Sequence, residues 1–197
     1  MTNPLLTPST LPYQLPNFAA ITPEHYLPAI EQGLEEARAA YAQLAENTEE
    51  PSFENVIEVL ENPSATLHRA VTIFYNITSA DGTDQLLELE AQVTEKLTQL
   101  GNELHLNPAV FSKLDAVYQK RHQLGLTAEQ LRLTEKFHQQ FTLAGAALKD
   151  EERHQLAELN LQIAQLQTEF GQQVTRDLNA AAVLVEDETQ LEGLSQA

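Results

Sequence analysis

From residue 22 onward apolar side chains recur at steps of three and four, the period of helices that bury one face. The first stripe is Leu27, Ile30, Leu34, Ala37, Tyr41 and Leu44, with Thr22 placed to cap it and Pro23 at the first helical position, where a missing N–H costs nothing. A second begins at Ser52 and carries Phe53, Val56, Ile57 and Leu60. Pro63 should break or kink it, because the residue before proline is pushed out of the helical region. A third holds Leu67, Val71, Phe74 and Ile77 and stops at the turn sequence SADGTD. The fourth, Leu86, Leu89, Val93, Leu97, Leu100 and Leu104, is the most regular. Asn107-Pro108 opens a fifth with Phe111, Leu114 and Tyr118, and Gly125 is its expected stop. Thr127 and Gln130 form a capping box for a sixth, which carries Leu131, Phe137, Phe141, Ala144 and Leu148.

The seventh stripe is the longest. It opens at Asp150 and passes through Leu156, Leu159, Ile163, Leu166, Phe170, Val174 and Leu178, with a second face of Ala157, Leu161 and Ala164. A helix apolar on two faces belongs between neighbours, which predicts a place for it near the middle of the molecule. Seven helices joined by short loops predict an all-α protein, an antiparallel up-and-down bundle spanning residues 22–179. Residues 1–21 hold prolines at 4, 8, 12 and 16 and no helical period, and read as an extended arm lying on the bundle. Residues 180–197 begin with the strand-like Val183, Leu184 and Val185, which could instead prolong the seventh helix. Asp187 and Gln190 then resemble the capping box of a further helix. Lacking a partner strand, this tail is expected to pack poorly and to start a connection to something else.

Composition narrows the functions. Eleven Lys and Arg against 29 Asp and Glu give a formal charge of −18, which repels phosphate backbones and anionic lipid heads, so neither nucleic acid nor membrane is an expected partner. No apolar run approaches the roughly 20 residues that cross a bilayer, and the N-terminus has no signal-peptide pattern. There is no cysteine, which excludes disulfides and thiolate chemistry and fits a reducing cytosol. The stretch HQLGLTAEQLRLTEKF, residues 122–137, has the outline of a helix-turn-helix. Glu129 and Glu135 on its second helix argue for a plain structural hairpin.

Catalytic motifs are missing. Histidines 25, 68, 105, 122, 138 and 154 include no pair three or four residues apart, so no zinc pair sits on one helix. The even spacing of His122, His138 and His154 leaves only a remote shared site. The acidic pairs Glu35-Glu36, Glu49-Glu50 and Glu151-Glu152 read as solvated faces, the last also complementing a helix dipole. No glycine lies in a phosphate loop or a nucleophile elbow. Catalytic residues: none; metal ligands: none; substrate-binding residues are not readable.

Four stretches resemble the N-terminal part of the thimet oligopeptidase-like (M3) zinc metallopeptidases: LPNFAAITPEHYLPAIEQGLEEAR at 15–38, SFENVIEVLE at 52–61, FTLAGAALKDEERHQLAELN at 141–160, and LVEDETQLEGLS in the tail. LNPAVFSKLDAVYQKRHQLGL at 106–126 looks most like the peptidyl-dipeptidase branch, which removes C-terminal dipeptides. The resemblance implies a non-catalytic helical domain forming a wall and part of the rim of a channel for short unfolded peptides. It also implies one zinc ion, held by a His-Glu-x-x-His helix in a C-terminal catalytic domain of the same polypeptide. That motif is absent from these 197 residues, so this segment is expected to bind no cofactor and to be inactive alone. Two other readings stand beside it. One is a complete helical adaptor module. The other is a metal-dependent helical-bundle enzyme, for which Glu151 with His154 supplies one of the two Glu-x-x-His pairs required.

Overall fold

The computed structural model describes residues 3–182 together with Val185, Asp187 and Gly193. The expected strand of Val183 and Leu184, and the helix expected from Glu188, lie outside the described residues. Among the described residues there are seven α-helices: α1 (Pro23–Glu46), α2 (Glu58–Glu61), α3 (Ala65–Asp81), α4 (Asp84–His105), α5 (Pro108–Lys120), α6 (Ala128–Leu143) and α7 (Asp150–Ala180). A π-helical turn, Phe53–Ile57, runs directly into α2. Two 3-10 turns, Pro12–Gln14 and Phe18–Ala20, lie in the N-terminal arm, and no strand occurs among the described residues.

The helix ends follow from local chemistry. The hydroxyls of Ser52, Ser64, Thr83 and Thr127 accept N–H groups of the first turns that follow them, and the Asn107 side chain does so for Ala109 and Val110. At α1 the bond runs the other way: the Thr22 N–H donates to His25 Nδ1 at 3.0 Å. Pro63 separates α2 from α3, as its effect on the preceding residue requires. α5 stops at Lys120, short of Gly125, which takes the left-handed conformation at φ +68° in the turn beyond.

The helix at the centre is α1, which packs on α3, α4 and α5. Against α3 it runs antiparallel: Glu36 accepts from Ser64 Oγ at 2.7 Å, while Tyr26 meets Phe74 edge to face. Against α4 it runs parallel, tied by Glu31–Lys96 and Arg38–Glu103. Gly33 permits the closest approach, for a Cβ there would lie 2.5 Å from the backbone N of Leu67. Two apolar clusters result. One joins Leu5, Ile30, Leu34, Phe74, Val93 and Leu100; the other joins Leu44, Ile57, Val110, Leu114, Val117 and Phe141.

Two expectations change. The arm is more than a surface strap, because Leu5 is fully buried in the first cluster and its carbonyl accepts from Arg69 Nε at 2.8 Å. And α7, expected near the middle, is the outermost helix: it packs along α4 and contributes no fully buried residue. Its two apolar faces are real, but only one of them is covered.

Candidate functional surface

The sequence weighed six histidines and three acidic pairs, and the structure gives several of these residues local partners. His138 is stacked on Tyr118 with ring centroids 3.8 Å apart, and its Nε2 lies 2.9 Å from Asp115 Oδ1. His154 Nδ1 meets the Asp150 carbonyl oxygen one turn back in α7, and His122 is exposed in the turn after α5. The structure does not bring these three together. His105 is half-buried edge-on against Phe141, its Nδ1 2.9 Å from the Gly101 carbonyl; partial burial lowers its pKa and that carbonyl works in the opposite direction. Among the described residues no three His, Asp or Glu side chains are placed to hold a metal ion.

The carboxylates are similarly occupied. Hydrogen bonds from Ser64 and Gln32 hold the pKa of Glu36 below its usual value, and Lys120 does the same for Glu50. The Glu152 carboxylate accepts the Lys149 N–H at the start of α7. In the stretch that resembled a helix-turn-helix, α6 is packed on α5 and the π-turn, with Thr134 and Phe141 fully buried and Glu135 taking both Arg121 and Arg132. The second helix is therefore a packing element.

Several concavities lie open among the described residues. A cleft of ≈ 620 Å³ lies between the arm and α3, lined by Leu5, Pro8, Leu11, Ile21, His68 and Arg69. A groove of ≈ 460 Å³ lies between α3, α4 and α7. Hydroxyls line it, and those of Thr78, Thr98, Thr168 and Thr175 donate to carbonyls one turn back in their own helices.

The most distinctive surface is α7 itself. It meets α4 through small and polar side chains: Ala157, Asn160, Ala164, Thr168 and Gln172. Asn102 Nδ2 donates to the Ala157 carbonyl at 3.1 Å, Asn160 donates to Asn102 Oδ1 at 2.8 Å, and Gln172 donates to the Leu87 carbonyl at 2.6 Å. Leu156 and Leu161 are half-buried, and the other larger apolar residues turn away. Leu159, Ile163, Leu166, Phe170, Val174 and Leu178 form one stripe, exposed between 41% and 72%. At 100° per residue its part from Leu159 to Phe170 lies roughly opposite the docked face, and its end winds round towards that face at Leu178. The sequence showed both faces; which one would find a partner inside the chain was not legible from periodicity.

Among the described residues, the helices assemble no set of metal ligands, and α7 is docked by its weaker face with a large stripe uncovered. No family model matches the chain. It is 39% identical over 194 residues, 98% of its length, to dipeptidyl carboxypeptidase of Escherichia coli, and equally to that of Salmonella typhimurium; the match takes in 28% of each. Oligopeptidase A of Salmonella typhimurium is 24% identical over the whole chain, again across 28% of that protein. The chain is thus homologous to the N-terminal portion of these peptidases, as the four sequence stretches implied, and spans little more than a quarter of their length. Among the described residues, no helix is long and apolar enough to cross a membrane.

Proposed function

We propose that this chain serves as the non-catalytic N-terminal domain of a zinc-dependent peptidyl-dipeptidase or oligopeptidase of the cytosol, where it forms a wall of the channel that receives short peptides. The observation that carries the reading is the 39% identity sustained over 98% of the chain to a dipeptidyl carboxypeptidase. A wall that holds a peptide in register lowers the barrier without supplying a reacting group, because orientation is fixed before the chemical step. In this reading the zinc and the water it activates are held by a His-Glu-x-x-His helix in a catalytic domain of the longer polypeptide.

The test compares two proteins. The longer polypeptide, supplied with zinc, should release dipeptides from the C-termini of short peptides, and the 197-residue protein under the same conditions should release none. Zinc-dependent turnover by the 197-residue protein alone, or a longer polypeptide that leaves such peptides intact, overturns the proposal.

A further inference from the structure

We infer that the outward stripe of α7 is the seat of the polypeptide that follows it: a segment carrying an apolar face of its own, laid along Leu159, Ile163, Leu166, Phe170, Val174 and Leu178. This rests on the reading of the chain as part of a longer peptidase. Four observations support it. The first is a partial inversion, since α7 meets α4 mainly with alanines, amides and threonines, Leu156 and Leu161 are half-buried, and Leu159, Ile163, Leu166, Phe170, Val174 and Leu178 face outward. An amphipathic helix that ends its folding here would present those faces the other way round.

The second is size. Six large side chains at these exposures leave roughly 600 Å² of apolar surface in one strip, at the upper end of what a monomer normally shows. The third is charge. In a protein of net charge −18, the charged side chains of α7 from Leu159 to Leu178 are Glu169, Arg176 and Asp177. Glu169 falls about 120° round the helix from the centre of the stripe, Asp177 borders the stripe at its C-terminal end, and the other near neighbours are the neutral amides of Gln162, Gln167 and Gln173. The fourth is position. α7 is the last helix described, and the relatives continue well beyond the length matched here.

Other occupants fit less well. A lipid surface favours basic residues beside an apolar face, and the rim here is neutral amide with the acidic Asp177 at its C-terminal end. A second copy would bury roughly 1,200 Å² in total, the lower limit of stable interfaces, between two bodies of equal negative charge.

The absence of cysteine from this sequence makes the test clean, since a single thiol can be introduced into this segment. Phe170→Cys and, independently, Leu166→Cys report on the stripe, and Gln123→Cys in the exposed turn after α5 is the control. The rate of maleimide attachment at each position, read peptide by peptide by mass spectrometry, is compared in the 197-residue protein and in the longer polypeptide. In the shorter protein the stripe thiols should react within a few-fold of the control. In the longer one they should slow by about 100-fold or more while the control is unchanged, because only opening of the covered state would expose them. Equal rates in the two proteins overturn the inference, as does protection in the 197-residue protein that grows with its concentration, which would identify a second copy as the occupant. Peptidase assays on the same samples separate this failure from failure of the functional reading: activity with unprotected thiols sinks only the docking surface, and protected thiols without activity sink only the peptidase.

Discussion

Gly33→Ala sets two forces of opposite sign against each other. In an isolated helix the change stabilises, because alanine is favoured over glycine by about 1 kcal/mol in a helix interior. In this protein the new methyl would stand 2.5 Å from the Leu67 backbone N, 2.6 Å from its Cα and 2.8 Å from its Cβ. Two of those three atoms are backbone, so no rotamer change relieves the clash. α1 and α3 must separate by about 1 Å, and a gap of that size forfeits a quarter to a half of each dispersion contact along the interface. That interface includes Tyr26, Ala29, Ile30 and Ala37 facing Ala70, Ile73 and Phe74, all buried. Overpacking of such a core costs about 1–3 kcal/mol or more. Since the separation here runs the length of two helices, the cost falls at the upper end, and the net effect is a loss of about 2 kcal/mol after the helix preference is subtracted. Urea unfolding followed by far-ultraviolet circular dichroism reads the change as a lower midpoint. Gly171→Ala on α7 is the matched control, since nothing lies within 4 Å of its added carbon, and it should raise the midpoint. A Gly33→Ala protein as stable as its parent, or more so, would show that α1 and α3 are not in the contact described.

Three further outcomes are expected. Leu5→Ala should cost about 2–5 kcal/mol in the same unfolding assay, since Leu5 is 0% exposed in the first core cluster; a loss below about 1 kcal/mol would mean that the arm is not anchored there. Burial pushes the Tyr41 hydroxyl up to about 12 from 10.0, so above pH 10 the unfolded chain ionises first and the fold loses stability until about pH 12. Tyr41→Phe should remove that component, seen as a smaller fall in Tm across this window, and an identical fall in both proteins would refute it. The His105 imidazole should titrate below its usual value of 6.5, because burial against Phe141 disfavours the charged ring. Stability tied to it is present above that value and lost as pH falls through the lowered one, and an NMR titration midpoint at or above 6.5 would contradict the burial.

Much of the fold could be read from residues whose effect is local. Asn107-Pro108, Thr127 with Gln130, and Pro63 act within one helical turn, and each start or stop they imply is present. What could not be read depends on the rest of the molecule. The π-turn at Phe53–Ile57 has no distinct signal, since its apolar spacing is that of an ordinary helix. Leu5 stands among prolines in a segment without period, and only the gap between α1 and α3 decides that it is core. The site followed the same division. The missing His-Glu-x-x-His pattern was visible at once, and the four resembling stretches pointed to the right relatives. The exposed stripe of α7 was visible only as apolar positions. Periodicity counts faces, but whether a face is covered depends on chain placed elsewhere.

The two core clusters also imply an order of assembly. Every residue of the first, from Leu5 to Leu100, is available once the chain has been synthesised through α4, whereas the second waits for Phe141 and Ala146. A nascent chain emerging from the ribosome can close α1, α3 and α4 around Leu5 before the later helices exist, and domains do form in that N-to-C direction during synthesis. α7 arrives last of the described helices, onto a surface already built by α4.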